Sequence, residues 1–271
     1  MNIIRASLEL SASIFKNKNL IIEMAKQELR EKYAGQVFGK YWVFIHPIFL
    51  TGMYLFVFGV VYRQRIGGTY EMPLDFTSYI LSGLVAWFFI MDGLSKSCTI
   101  ITSNQSLIKQ ILFPLEVLPL KSLLASFVPQ LITLIILISY VLITNGSLLN
   151  TYLLIPILIF LEFIILIGVS YFLSIVGVFF RDMKDVVQLF ITAGIYILPV
   201  VFLPQWVPNI FKPFIFVNPF SHLVWCFQDA LYFGRFEHPQ SWIISFIFGF
   251  LSYSLGYKFF KKLQPFIGNV I

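Results

Sequence analysis

The chain has 271 residues, of which 58% are hydrophobic and only 12% charged, with a mean hydropathy of +0.85, where an ordinary soluble domain carries about 25% charge. That composition excludes a soluble globular protein and leaves room for about six helical spans, with no separate soluble domain of useful size. The formal charge of +6 does not mark a nucleic-acid binder, because the basic residues lie beside apolar segments instead of gathering on one soluble unit.

Residues 1–40 form a basic arm. Its first apolar run, Leu20-Ile21-Ile22, is too short and too closely flanked by charge to be the core of a cleavable signal peptide. Asn19 suits the N-cap of a helix whose Ile22, Ala25, Leu29 and Tyr33 fall in a narrow arc, with Glu28 and Lys32 paired one turn apart and Gly35 as the stop. Such a helix lies in the cytoplasmic interface with its stripe in lipid, or packs on a partner subunit.

Transmembrane spans are expected at 41–62, 76–95, 120–144, 151–180, 186–203 and 241–257. The third and fourth come from one stretch, forty residues between Lys121 and Glu162 without Asp, Glu, Lys, Arg or His. As a single helix it would be roughly 60 Å long, about twice the hydrocarbon thickness. It must fold back, and the turn formers Asn145-Gly146-Ser147 through Asn150 mark where. Residues 96–119 make the loop between spans two and three. Residues 204–240 are aromatic but broken by Pro204, Pro208, Pro213, Pro219 and Pro239. Two short re-entrant helices dipping into the outer leaflet fit them, the second starting at Asn218-Pro219. The expected fold is an all-α integral membrane protein of six transmembrane helices. It is one transmembrane domain over 1–271, with an N-terminal interfacial amphipathic helix.

With the N-terminus in the cytoplasm, fifteen of the nineteen Lys and Arg fall on the inner side. Only Arg63, Arg65, Lys212 and Arg235 fall outside. Both termini are then cytoplasmic. Cys98 and Cys226 sit on opposite sides of the bilayer, so they are read as unpaired, buried small hydrophobes.

No catalytic constellation and no metal site emerge. His46, His222 and His238 are scattered, without carboxylates or cysteines at ligand spacing, and read as structural. Gly35-Gln36-Val37-Phe38-Gly39-Lys40-Tyr41 is one residue short of a phosphate loop and lacks the following Ser or Thr. The chain is therefore expected to hold no nucleotide or other cofactor. Among intramembrane ionisable groups, Asp92 has Lys96 one turn later, which explains it locally. Glu162 is deeper and marks either an ion pathway or, because its span is long, a position near the outer boundary.

Two helical faces differ from lipid contacts. In the fifth span Gln188, Thr192, Tyr196 and Pro199 share an arc, and in the first Phe44, Thr51, Tyr54, Phe58 and Tyr62 do so. Both are candidate channel linings, since Tyr and Thr inside a span prefer a wet or hydrogen-bonded surface and aromatic faces let a sugar polymer slide. In the sixth span Ser241, Ser245, Gly249, Ser252 and Gly256 form a small-residue packing seam.

Three segments together resemble ABC-2 type permeases, and more narrowly the polysaccharide exporters that move lipid-linked O-antigen, capsule or teichoic acid. They are Glu28 through Gly39 leading into Tyr41-Trp42 and His46-Pro47; Asn104 through Gln110 with Phe113 through Pro119; and Arg181 through Asp185 with Leu198-Pro199 and Asn218-Pro219-Phe220. The resemblance implies a homodimer in the bacterial cytoplasmic (inner) membrane, joined to two ABC nucleotide-binding subunits that bind ATP and Mg. It also implies a channel at the dimer interface, an outer gate at Trp206, Asn218, Pro219 and Trp225, and a coupling helix in the loop 96–119. Asn104, Leu107, Ile108, Lys109, Phe113 and Glu116 would then contact the ATPase, although Leu115-Glu116 is less basic than the family's usual phrase. The expected function is export of lipid-linked polysaccharide, most specifically O-antigen. An exporter of drugs or small lipids, a proton-driven carrier and a membrane enzyme acting on lipid-linked sugars are the rival readings.

Overall fold

A computed structural model describes residues 3–32, 34–61, 72–109 and 113–269; Tyr33, Tyr62, Arg63, Arg65 and Gln110 lie outside them. Among the described residues the structure is helical, without a strand. Helices α1 (Ile3–Lys16) and α2 (Lys18–Lys32) precede α3 (Trp42–Tyr54), which continues as a wider π turn over Leu55–Val61. Then come α4 (Phe76–Ser97), the short α5 (Gln105–Ile108), α6 (Val117–Asn145) and α7 (Ile155–Phe179). The rest are α8 (Met183–Ile197), α9 (Lys212–Val217), α10 (Pro219–Gln228) and α11 (Pro239–Leu263).

Among the described residues, five helical stretches are long and apolar enough to cross a membrane: Trp42–Val61, Phe76–Ser97, Val117–Asn145, Asn150–Phe179 and Pro239–Gly268. The expected fifth span, 186–203, differs. Its helix stops at Ile197 after 15 residues, about 22 Å and short of a hydrocarbon core of about 30 Å. The cause is Pro199, which forces Leu198 out of the helical region to φ −82°, ψ 150°. The chain continues in irregular form, its Pro199 and Phe202 carbonyls accepting from the Tyr79 hydroxyl at 3.3 and 3.2 Å.

Helix α4 is the centre of the bundle, buried on nearly every side, as expected of a helix that is apolar all round. Asp75 caps it, accepting from the Ser78 hydroxyl at 2.6 Å, and also accepts from Tyr140 at 2.7 Å. The α6–α7 hairpin turns at Gly146, whose φ of 74° suits a residue without a side chain. Helices α7 and α11 pack along the expected small-residue seam. A Cβ at Gly256 would lie 2.0 Å from the Gly168 carbonyl oxygen, so the two backbones touch. Cys98 and Cys226 are unpaired and buried.

The N-terminal arm departs from expectation. Helix runs from Ile3, so Asn19 lies inside α2 and caps nothing. The buried face of α2 is carried by Ile21 and Ala25, with Ile22 turned out. Its Glu28 and Lys32 do not pair with each other. Glu28 lies 3.6 Å from Lys96 and 3.9 Å from Lys121, and Lys32 lies 3.5 Å from Asp92. The helix is set by ion pairs to α4 and α6 of its own chain, and these override the local i,i+4 option. Asp92 and Lys96 form their pair at 2.9 Å.

Candidate functional site

The two candidate lining stripes meet in one cleft. Tyr54 and Phe58, stacked with ring centroids 6.4 Å apart, face Tyr196 across a space of about 510 Å³ between α3 and α8. Leu50, Met53 and Ile195 complete its apolar floor. On α8, Gln188, Thr192 and Tyr196 are all exposed, with Tyr196 74% accessible. The Thr192 hydroxyl donates back to the Gln188 carbonyl at 2.9 Å, which leaves the hydroxyl oxygen free to accept. Phe44 is exposed further along α3. Thr51 is not part of this surface. It is fully buried, 3.5 Å from the Thr133 hydroxyl on α6, because α3 packs on α6 through that side. Pro199 also turns inward, its carbonyl accepting from Gln228 at 2.7 Å.

At one end of the bundle, the basic end, α1, α2, the loop 96–119 and the last turns of α11 come together. Asn104 accepts from Lys121 at 3.0 Å through Oδ1. Leu107, Ile108 and Phe113 are partly buried against the cluster formed by Ile100, Leu118 and Tyr171. Lys109, Gln105 and Ser106 point outward. Glu116 does not point outward. Its carboxylate accepts from Ser13 of α1 and Lys261 of α11, while its carbonyl accepts from the Tyr171 hydroxyl at 2.6 Å. Burial opposes ionisation of Glu116, but the hydrogen bonds from Lys261 and Ser13 outweigh it and hold the carboxyl below its usual range. Glu116 is thus a clasp within the chain, not an outward contact.

At the far end, Trp206 packs on Phe76 with centroids 5.4 Å apart. Asn218 caps α10 by accepting from the Phe220 amide at 3.0 Å, with Pro219 in the first turn as expected. Trp225 is 1% exposed, stacked on His238 at 5.2 Å and edge-on to His222. It is the core of this unit and not its surface. His222 and His238 both have structural partners. His222 contacts Ser241 (3.0 Å) and the Phe216 carbonyl (2.8 Å), and His238 contacts Asp229 (2.8 Å). Asp229 also accepts from the Trp242 indole at 2.9 Å, tying the start of α11 to the short helices.

Glu162 lies near the middle of the Asn150–Phe179 span, not at its boundary, fully buried and accepting from Gln130 of α6. Among the described residues no cluster of His, Cys, Asp and Glu could hold a metal ion.

No protein-family model matches the chain. Curated relatives do. An O-antigen export system permease protein RfbA of Klebsiella pneumoniae is 25% identical over 247 residues, 91% of this chain and 92% of its own length. A second protein of that name from the same organism is 23% identical over the same extent. One from Myxococcus xanthus is 22% identical over 195 residues, 72% of each chain. Over most of its length the chain is thus similar to proteins named as O-antigen export permeases.

Two features of the structure escape a reading of the sequence. Helix α1 is one, since its buried Ala6 and Leu10 are separated by Ser7, an exposed Leu8 and Glu9, and no continuous apolar run marks it. A basic cavity of about 380 Å³ is the other, lined by Thr102 and Gln105 of the loop 96–119, by Arg181 just before α8 and by Lys184 in its first turn. The run Arg181 through Asp185 signals charge there, but only the fold sets it beside that loop.

Proposed function

We propose that this chain is the membrane-spanning subunit of an ATP-driven exporter of lipid-linked polysaccharide, O-antigen in particular, and that two copies enclose the passage. The observation that carries this reading is the cleft of Tyr54, Phe58 and Tyr196 beside the exposed Gln188 and Thr192, in a chain whose O-antigen export relatives match nine-tenths of its length. A polar polymer cannot cross hydrocarbon, because its hydroxyls would lose their water partners. Aromatic faces with hydroxyls at their edges offer stacking and hydrogen bonds along the path. One copy supplies an open-sided cleft; a second copy facing it makes a channel.

The reading places both termini and the basic end in the cytoplasm of a bacterial inner membrane. It gives six crossings, with α8 and the irregular residues after it making the fifth. Helices α9 and α10 re-enter the outer leaflet as a gate whose exposed element is Trp206, mounted on the packed core around Trp225. Lys109, with Leu107, Ile108 and Phe113 beneath it and Asn104 tied to Lys121, presents the coupling surface to two separate ATPase subunits. ATP and Mg belong to those partners. Closure of the ATPases would press on α5 and, through Lys121 and Glu28, move α6 and α2 together.

Deleting the gene in its host tests the reading. Lipid-linked O-antigen is expected to accumulate on the inner side and to disappear from the surface, with recovery on return of the intact gene. Normal surface glycan together with loss of drug or small-lipid efflux would replace the polymer by the smaller substrate.

A further inference from the structure

Beside the backbone contact between Gly168 and Gly256, α7 and α11 enclose an apolar groove of about 620 Å³ on the outer surface of the bundle. Phe172 and Leu255, each about two-fifths exposed, form its walls. Lys258 and Lys262, one helical turn apart on α11, stand at the end nearest the chain's C-terminus. Their neighbour Lys261 is engaged by Glu116, whereas among the described residues no carboxylate lies within ion-pair distance of Lys258 or Lys262.

We propose that this groove holds one anionic phospholipid, its phosphate between Lys258 and Lys262 and an acyl chain along Phe172 and Leu255. Two lysines one helical turn apart, with Cβ atoms about 5–6 Å from each other, can converge on a single phosphodiester, and a basic recess between membrane helices attracts anionic headgroups. The walls are apolar over the length an acyl chain would occupy. A second copy of the chain fits less well. Apart from Glu162, which is fully buried, α7 and α11 carry no acid, so the same face of another copy has nothing to offer the two lysines. The site lies on a different face from the Tyr54–Tyr196 cleft and does not depend on what passes through it.

The test is native mass spectrometry of the assembled transporter with phosphatidylglycerol or phosphatidylcholine vesicle lipid added. The parent is expected to keep one phosphatidylglycerol per copy under conditions that strip phosphatidylcholine. Lys258→Gln/Lys262→Gln should weaken phosphatidylglycerol retention roughly 25-fold, at about five-fold per lysine. Leu255→Trp, which fills the groove, should lower phosphatidylglycerol retention while leaving the lysines in place. Equal retention of the two lipids by the parent, or undiminished phosphatidylglycerol on the double variant, overturns the proposal. So does a Leu255→Cys variant that oxidises to a disulfide-linked pair in the membrane, which would put a second copy on the groove.

Discussion

Lys261, in the last turn of α11, donates to the Glu116 carboxylate at the foot of α6, joining the last span to the end of the loop 96–119. Ser13 of α1 donates to the same group, so three distant parts of the sequence converge on one side chain. Glu116→Gln keeps the shape and removes the charge. We expect a loss of about 2 kcal/mol, the range for a hydrogen bond to a charged group. The folded-state carboxyl sits below its ordinary range. The clasp is therefore at full strength above about pH 4.3, the unfolded value, and is lost as pH falls through the folded one. Thermal unfolding of the purified protein from pH 7 down to about pH 2 checks this: parent and variant should differ from neutral pH down to about pH 4.3 and converge only below it.

Tyr196 is 74% exposed and contributes little to packing, so its removal should affect transport far more than folding. Tyr196→Ala is expected to slow export roughly five-fold, about 1 kcal/mol of lost aromatic contact. Tyr196→Phe keeps the ring and should retain most of the rate. Surface-glycan appearance after pulse labelling reads the first effect and thermal unfolding the second. An Ala variant that exports normally would remove Tyr196 from the passage.

The long helices were legible because membrane spans must satisfy every backbone group internally, and unbroken apolar runs mark where that happens. The α6–α7 turn was legible for the same reason, through Asn145-Gly146. The faces of those helices were less so. A helix apolar on all sides gives no moment to orient it, which is why Thr51 reads as lining yet lies against Thr133. The end of α8 was encoded in Leu198-Pro199, but continuous hydropathy through Leu203 hides it. Ion pairs such as Glu28 with Lys96 join residues far apart in sequence, and a local i,i+4 option masks them. The cleft itself depends on α3 and α8 lying side by side, a tertiary fact.

Lys109 is exposed, and Phe113 is partly buried against the cluster of Ile100, Leu118 and Tyr171. Lys109→Ala/Phe113→Ala should leave ATP hydrolysis by the partner subunits running while export falls at least ten-fold, the signature of uncoupling. Phe113→Ala alone costs some internal packing, of order 1–2 kcal/mol for a half-buried ring, so the comparison needs equal amounts of assembled complex. Export in proportion to hydrolysis in the double variant would move the coupling surface elsewhere, the basic cavity of Arg181 and Lys184 being next.

Gln130 and Glu162 face each other in the centre of the bundle, and each keeps one buried oxygen without a partner. Two roles compete for this pair: a step in an ion pathway, or a hydrogen-bonded tie between α6 and α7. A pathway would need ionisable groups on both sides of the pair; along α6 its polar neighbours are the hydroxyls of Ser126, which accepts from Lys96 at 3.0 Å, and of Thr133, which is 3.5 Å from the Thr51 hydroxyl. The tie is the better account. Gln130→Leu should destabilise by about 2–3 kcal/mol, because it strands a buried carboxyl group with no donor. The double variant Gln130→Leu/Glu162→Leu should recover most of that loss and export at close to the parent rate, since replacing both members of a buried polar pair by apolar groups is often neutral. Thermal unfolding and vesicle export measured on the same three proteins separate the roles. A stable double variant with abolished transport would restore Glu162 to the mechanism.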